Sequence, residues 1–224
     1  MKNTIRNLKR DKVWDYENGF YWYSAKSRVN KMLAHYELYK TIVHIPGDIF
    51  ELGVYKGVSL VRFATFRDAL ENDYSRRIIG FDAFGDFPTA KLEVEDDLKF
   101  VEKFIGAGGK GLSLNEVTEI LKSKGFENVS LVKGNIFDSL PDYVCRHPET
   151  RIALLHLDMD VKEPTDFALE LLYDRVVPGG VIVFDDYNGV IGSTLSVDAF
   201  VKKYQLKLEK LPFYSAPAFI RKTV

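Results

Sequence analysis

The chain has 224 residues, enough for one sizeable α/β core and tight for two full domains. With 31 basic and 32 acidic residues the net charge is −1, which gives no electrostatic reason to expect nucleic acid or an anionic membrane as partner. Cys145 is the only cysteine, so an intrachain disulfide and a thiolate zinc cluster are both excluded.

Residues 1–12 are polar and basic with no apolar run behind them, and no stretch approaches the ~20 apolar residues needed to cross a bilayer. A cytoplasmic single-domain protein is expected. Trp14, Tyr16, Phe20, Tyr21, Trp22 and Tyr23 form an aromatic cluster, read first as cover for the edge of the core and second as the wall of a ligand pocket. Over residues 25–44, Val29, Met32, Leu33, Tyr36, Leu38, Tyr39 and Val43 recur near helical spacing, and Pro46-Gly47 stops the helix.

Beyond Gly47 strands and helices alternate. Strands are predicted at 48–52, 77–81, 129–132, 152–157 and 181–184, and helices at 59–70, 115–124 and 164–176. The run 152–157 is apolar almost throughout, as in a strand buried on both faces. This alternation predicts an α/β fold with a doubly wound, mostly parallel sheet. Between 84 and 113 the periodicity fails, and a lid-like insertion is expected there, with 1–46 as an N-terminal helical segment. Gly108-Gly109-Lys110-Gly111 lacks the Ser/Thr of a phosphate loop and follows no strand, so it reads as a hinge.

Ligands of open parallel sheets bind outside the carboxyl ends of the strands. The first strand ends in Glu51-Leu52-Gly53-Val54-Tyr55-Lys56-Gly57-Val58-Ser59. Gly53 lets the backbone approach a ligand, the helix N-terminus offers free N–H groups to an anionic carboxylate, and Ser59 can add a hydroxyl. The second ends in Asp82, placed to accept both hydroxyls of a ribose. After the third, Gly134 permits close approach, Asn135 can hydrogen-bond a base and Ile136 can pack on its face. The fourth and fifth end in Asp158-Met159-Asp160 and Asp185-Asp186. The four carboxylates are either two unrelated solvated turns or, where the two strand ends converge, a cluster of like charges that needs a compensating cation, for which an all-oxygen donor set suits Mg²⁺ or a similar hard divalent ion. The histidines carry no mark of a site: His35 and His44 fall in the first helix, and His156 reads as a satisfied core residue. Cys145 reads as structural.

Taken together these segments resemble the macrocin O-methyltransferase family, which methylates sugar hydroxyls of bacterial natural products. The resemblance rests on 47–57, Phe81-Asp82-Ala83-Phe84, 133–141, Leu157-Asp158-Met159-Asp160 with Pro164-Thr165, and Pro178-Gly179-Gly180 leading to Asp185-Asp186-Tyr187; residues 196–200 look like the family's late helix. It implies a class I S-adenosylmethionine-dependent methyltransferase fold, with Asp158, Asp185 and Asp186 as Mg²⁺ ligands, Asp160 as candidate general base, and Asp158 and Asp160 as the catalytic residues. It places Glu51, Gly53, Tyr55, Ser59, Asp82, Gly134 and Asp158 around S-adenosylmethionine, with Asn135 and Ile136 near the adenine. Tyr55 replaces the middle glycine of the usual loop, and Phe84-Gly85-Asp86-Phe87-Pro88 departs from the family's Phe-Glu-Gly-Leu-Pro, a change that bears on the acceptor.

The implied partner is a small sugar-containing acceptor, without nucleic acid or membrane; a homo-oligomer is compatible with the aromatic N-terminal segment. A nicotinamide oxidoreductase would want Gly-x-Gly-x-x-Gly and an acid ~20 residues on; Tyr55 and the distance to Asp82 disfavour it. A catechol-type phenol as acceptor, or a non-catalytic binding member of the fold, are the remaining alternatives.

Overall fold

The computed structural model describes residues 4–223; residues 1–3 of the N-terminal segment lie outside the described residues. That segment opens not with a helix but with a small antiparallel pair, β1 (Thr4–Ile5) and β2 (Leu8–Lys9). Two helices follow, α1 (Val13–Tyr23) and α2 (Lys26–Lys40). The aromatic cluster on α1 does not cover the core: α1 buries no residue, and Trp14, Trp22 and Tyr23 are 71%, 69% and 84% exposed. Helix α2 stops at Lys40, before the Pro-Gly pair, and docks through Ala34, Leu38 and Tyr39.

The remaining elements are β3 (Asp48–Leu52), α3 (Val58–Leu70), β4 (Ile78–Asp82), α4 (Glu95–Gly108), α5 (Leu114–Lys124), β5 (Val129–Lys133), α6 (Ile136–Arg146), β6 (Ile152–Leu157), α7 (Lys162–Leu172), β7 (Val176–Phe184), α8 (Ile191–Tyr204), β8 (Glu209–Leu211) and β9 (Tyr214–Arg221). The sheet runs β5-β4-β3-β6-β7-β9-β8, parallel from β5 to β7, with β9 antiparallel to both β7 and β8. The chain leaves β3 in one direction through β4 and β5, then returns to lay β6 on the other side of β3. That reversal is the switch point at which ligands of such sheets bind.

Period-two alternation sorts the core into two layers. Ile49, Ile78 and Val183 meet Leu38 of α2, Phe63 of α3 and Val117 of α5. Phe50, Phe81 and Ile182 face the other way, onto Leu140 of α6, Leu169 of α7 and Phe200 of α8. β3 and β6 are buried along their whole length; β6 reads as a near-continuous apolar run for that reason, whereas β3 buries Asp48 and Glu51 among its apolar residues. No helix among the described residues is long and apolar enough to cross a membrane.

The stretch 84–113, expected to lack a core pattern, contains the fourteen-residue helix α4. Its apolar side chains Leu98, Val101, Phe104 and Ile105 keep helical spacing, but Glu95, Asp96 and Asp97 crowd its first turn and hide the signal. Asp97 is fully buried and ties three elements together, accepting from the Lys162 N–H of α7 at 2.8 Å and the Gly192 N–H of α8 at 3.0 Å. Any side chain at Gly192 would strike it, since a Cβ there would lie 1.8 Å from Asp97 Oδ2.

Candidate active site

Strand register brings the functional residues to one edge. Leu52, Phe81 and Leu157 are neighbours across β4-β3-β6, and Leu157 pairs with Phe184 of β7. Backbone bonds extend the ladder one residue: the Gly53 N–H donates to Phe81 O, the Asp158 N–H to Leu52 O, and the Asp185 N–H to Leu157 O. Gly53, Asp82, Asp158 and Asp185 therefore stand in line at the carboxyl ends of adjacent strands. Gly53 has φ +97° and a Cβ there would lie 1.8 Å from Asp158 O, so no other residue fits.

A cavity of about 410 Å³ opens along this edge, lined by Gly53, Tyr55, Ser59, Asp82, Asp158 and Asp160 among others. A second hollow, walled by Gly134, Asn135, Ile136 and Met159, shares Gly53, Asp82 and Ala83 with it, so the two form one elongated groove. Asp82 braces its floor: Oδ2 accepts from the Tyr55 N–H at 2.9 Å and Oδ1 from the Phe84 N–H at 2.5 Å. Asn135 uses its side-chain oxygen as the N-cap of α6, on the Phe137 N–H, which leaves its NH₂ for a ligand. Tyr55 takes the left-handed conformation, φ +50°, that usually favours glycine. Its ring packs on Phe104 of α4 and its hydroxyl donates to Gly109 O at 3.1 Å. The carbonyls of the expected hinge are thereby held, with Lys56 on Gly108 O and Arg6 on Lys110 O and Gly111 O.

Glu51 lies beneath the groove rather than on its wall, with 0% exposure. It takes the Ser59 hydroxyl at 2.5 Å, so Ser59 is already engaged, while Glu51 Oε2 is buried with no partner. Burial, outweighing the Ser59 bond, pushes its carboxyl up to about 8.

Asp158, Asp185 and Asp186 each present an oxygen within 4.8 Å of the others. Ligands on opposite sides of a Mg²⁺ with bonds of ~2.1 Å would be ~4.2 Å apart, so this all-oxygen set fits a hard divalent ion after slight contraction. Asp160 joins from the side, its N–H donating to Asp186 Oδ2 at 3.0 Å. Burial and then the Asp158 charge raise the Asp160 carboxyl to about 7, and burial with neighbouring carboxylates raises Asp158 and Asp186 as well. Asp185 is the exception. Burial would raise it, but two imidazoles and the Lys31 ammonium outweigh that and hold it well below the ordinary carboxylate range.

Those three partners were not read from the sequence. Lys31 of α2 ion-pairs with Asp185 Oδ2, and its Nζ lies 3.9 Å from Asp158 Oδ2. His35 and His156 bring their Nε2 atoms to 3.6 Å and 3.5 Å from Asp185 Oδ1. His156 is thus not a satisfied core histidine: its Nε2 and that of His35 stand at the outer limit of hydrogen-bond reach of Asp185 Oδ1, and the Nδ1 atoms of both rings are buried without a partner. Burial lowers His35 to about 4, leaving it neutral. The available signal was the spacing Arg28, Lys31, His35, a polar stripe on one face of α2. Cys145, expected to be structural, is exposed on α6.

A model of the family described as macrocin O-methyltransferase (TylF) matches residues 3–213. The 8-demethyl-8-(2,3-dimethoxy-alpha-L-rhamnosyl)-tetracenomycin-C 4'-O-methyltransferase of Streptomyces olivaceus is 32% identical over 148 residues, 64% of this chain and 54% of that protein. The match thus spans about half the length of this curated relative. Among solved structures, apo CalS11, described as a TDP-rhamnose 3'-O-methyltransferase of calicheamicin biosynthesis, superposes with a TM-score of 0.67 at 25% identity, covering 93% of this chain and 86% of that one. The O-methyltransferase NovP gives 0.75 at 22% identity, over 87% and 80%.

Proposed function

Since the chain belongs to the macrocin O-methyltransferase family, we propose that it transfers the methyl group of S-adenosylmethionine to a hydroxyl of a sugar-containing small molecule, assisted by a divalent cation. The observation that carries this reading is the convergence of Asp158, Asp185 and Asp186 within 4.8 Å beside a groove floored by Gly53 and Asp82. The CalS11 and Streptomyces olivaceus relatives, whose names specify sugar methylation, support the acceptor class.

S-adenosylmethionine supplies an electrophilic methyl on a sulfonium, and Mg²⁺ held by Asp158, Asp185 and Asp186 would lower the pKa of an acceptor hydroxyl. The chain's residues do the rest. Gly53 would bring backbone against the donor, Asp82 would face its ribose, and Asn135 with Ile136 would edge the adenine. Asp160, whose carboxyl burial and then the Asp158 charge raise, is the base placed to take the hydroxyl proton. Transfer would form the oxygen–carbon bond and break the carbon–sulfur bond, with Asp160 holding the hydroxyl proton at its end. Holding oxygen, carbon and sulfur in line is the largest task left to the protein. Helix α4, carried over the groove by Tyr55 and Asp97, excludes water. A reducing, cytoplasmic setting belongs to the proposal, supported by one free, exposed thiol.

Methyl transfer measured on panels of sugars and catechols, with Mg²⁺ and with chelator, tests the reading. Cation-dependent product on a sugar is expected; product on catechols alone would shift the acceptor to a phenol.

A further inference from the structure

Two arginines on the groove wall, Arg28 and Arg62, take no part in methyl transfer as proposed. Arg28 lies one helical turn before Lys31 on α2, and Arg62 one turn after Ser59 on α3, so the facing stripes of the two helices meet at the same corner. The other cations of the wall are engaged: Lys31 with Asp185, Lys56 with Gly108 O, and Lys110 with Asp86 at 2.8 Å. Among the described residues, the guanidinium groups of Arg28 and Arg62 make neither a hydrogen bond nor an ion pair. Burial, and next the charge of Arg28, lower Arg62, and the charges of Asp185, Glu51 and Asp158 offset only part of that. Two like charges side by side, one half-buried, are a standing cost unless an anion joins them.

We infer that Arg28 and Arg62 form an oxyanion subsite of the groove that takes a carboxylate or phosphate group of a bound small molecule. Guanidinium forks match both groups bidentately, and the first turn of α3, thirteen residues long, adds backbone N–H groups at the same corner. The inference rests on the proposed function, which offers two sources of such an anion: the α-carboxylate of the methyl donor, or a phosphate on the acceptor.

Calorimetric titration of wild type, Arg28→Met and Arg62→Met separates them, with three probes: S-adenosylhomocysteine, 5′-methylthioadenosine, which lacks the amino-acid carboxylate, and thymidine diphosphate added to the S-adenosylhomocysteine complex. Arg28 is exposed, so its variant keeps the fold. If the pair holds the donor's carboxylate, both variants weaken S-adenosylhomocysteine at least ~10-fold, equivalent to ~1.4 kcal/mol, and leave methylthioadenosine unchanged. If it holds an acceptor phosphate, S-adenosylhomocysteine is unchanged and thymidine diphosphate weakens by a similar factor. Unchanged affinity for every probe overturns the inference, as does an equal loss of all three, which would mark collapse of the groove. A wild-type protein that binds neither adenosyl probe contradicts the donor site as well, a result distinct from failure of the arginine pair alone.

Discussion

The Lys31 ammonium of α2 sits against Asp185 Oδ2, on the side of the carboxylate that turns toward Asp158. It stands where a cation belongs. The Asp158 and Asp185 charges outweigh the burial that would lower it, and its pKa is raised. An ion entering the cluster must displace this tethered charge, so Lys31→Met is expected to bind Mn²⁺ about tenfold more tightly than wild type by electron paramagnetic resonance, a difference of ~1.4 kcal/mol. Unchanged or weaker binding would show that Lys31 does not compete.

Glu51 is expected to make the ligand-free protein less stable as pH rises. Its folded pKa of about 8 exceeds the ordinary 4.5, so the folded chain binds more protons than the unfolded one between those values. Stability is greatest below pH ~4.5 and is lost progressively up to pH ~8 on this group's account. Glu51→Gln removes the titrating group and should flatten that slope, raising Tm at pH 8 by at least ~2 °C relative to wild type while gaining little at pH 5. Parallel Tm profiles for the two proteins would contradict the assignment.

Asp97 anchors α4 to the N-terminal turns of α7 and α8. Asp97→Ala leaves two buried N–H groups without acceptors, each worth about 1–3 kcal/mol. A fall in Tm is expected together with faster proteolysis within 95–108, the two outcomes of loosening the cover over the groove. Wild-type proteolysis rates would mean that α4 is held by its apolar face alone.

Asp185→Asn separates cation from donor. It removes the one carboxylate held ionised by Lys31 and the two imidazoles, so Mg²⁺-dependent turnover should fall by at least ~100-fold, while S-adenosylhomocysteine affinity, set by the β3 and β4 ends, stays within about twofold. Wild-type turnover at limiting Mg²⁺ would remove Asp185 from the cation site.

Much of the fold was legible because β3, β4, β6 and β7 carry simple apolar patterns, and the strand-end aspartates follow them directly. Residues close in sequence to a strand end inherit its position. The order of the sheet then makes Asp158 and Asp185 neighbours without any long-range guess. What escaped detection has a common cause. Helix α4 hides its stripe behind three acids, and β8 and β9 are short or end the chain without an alternating partner. Lys31, His35 and Arg28 reach the site from a helix more than a hundred residues away from Asp158, so only packing of α2 on the sheet reveals them. The aromatic residues of α1 misled for the opposite reason: their composition suggests burial, yet among the described residues Trp14, Tyr21, Trp22 and Tyr23 stay exposed.

The most direct test is an anomalous difference map from crystals of the protein grown with Mn²⁺ and S-adenosylhomocysteine. One metal peak is expected, bonded at ~2.2 Å to oxygens of Asp158, Asp185 and Asp186, with Lys31 moved aside and the sulfur of the adenosyl ligand facing the same space beside Asp160. A filled adenosyl groove with no peak at the three aspartates would contradict the cation site.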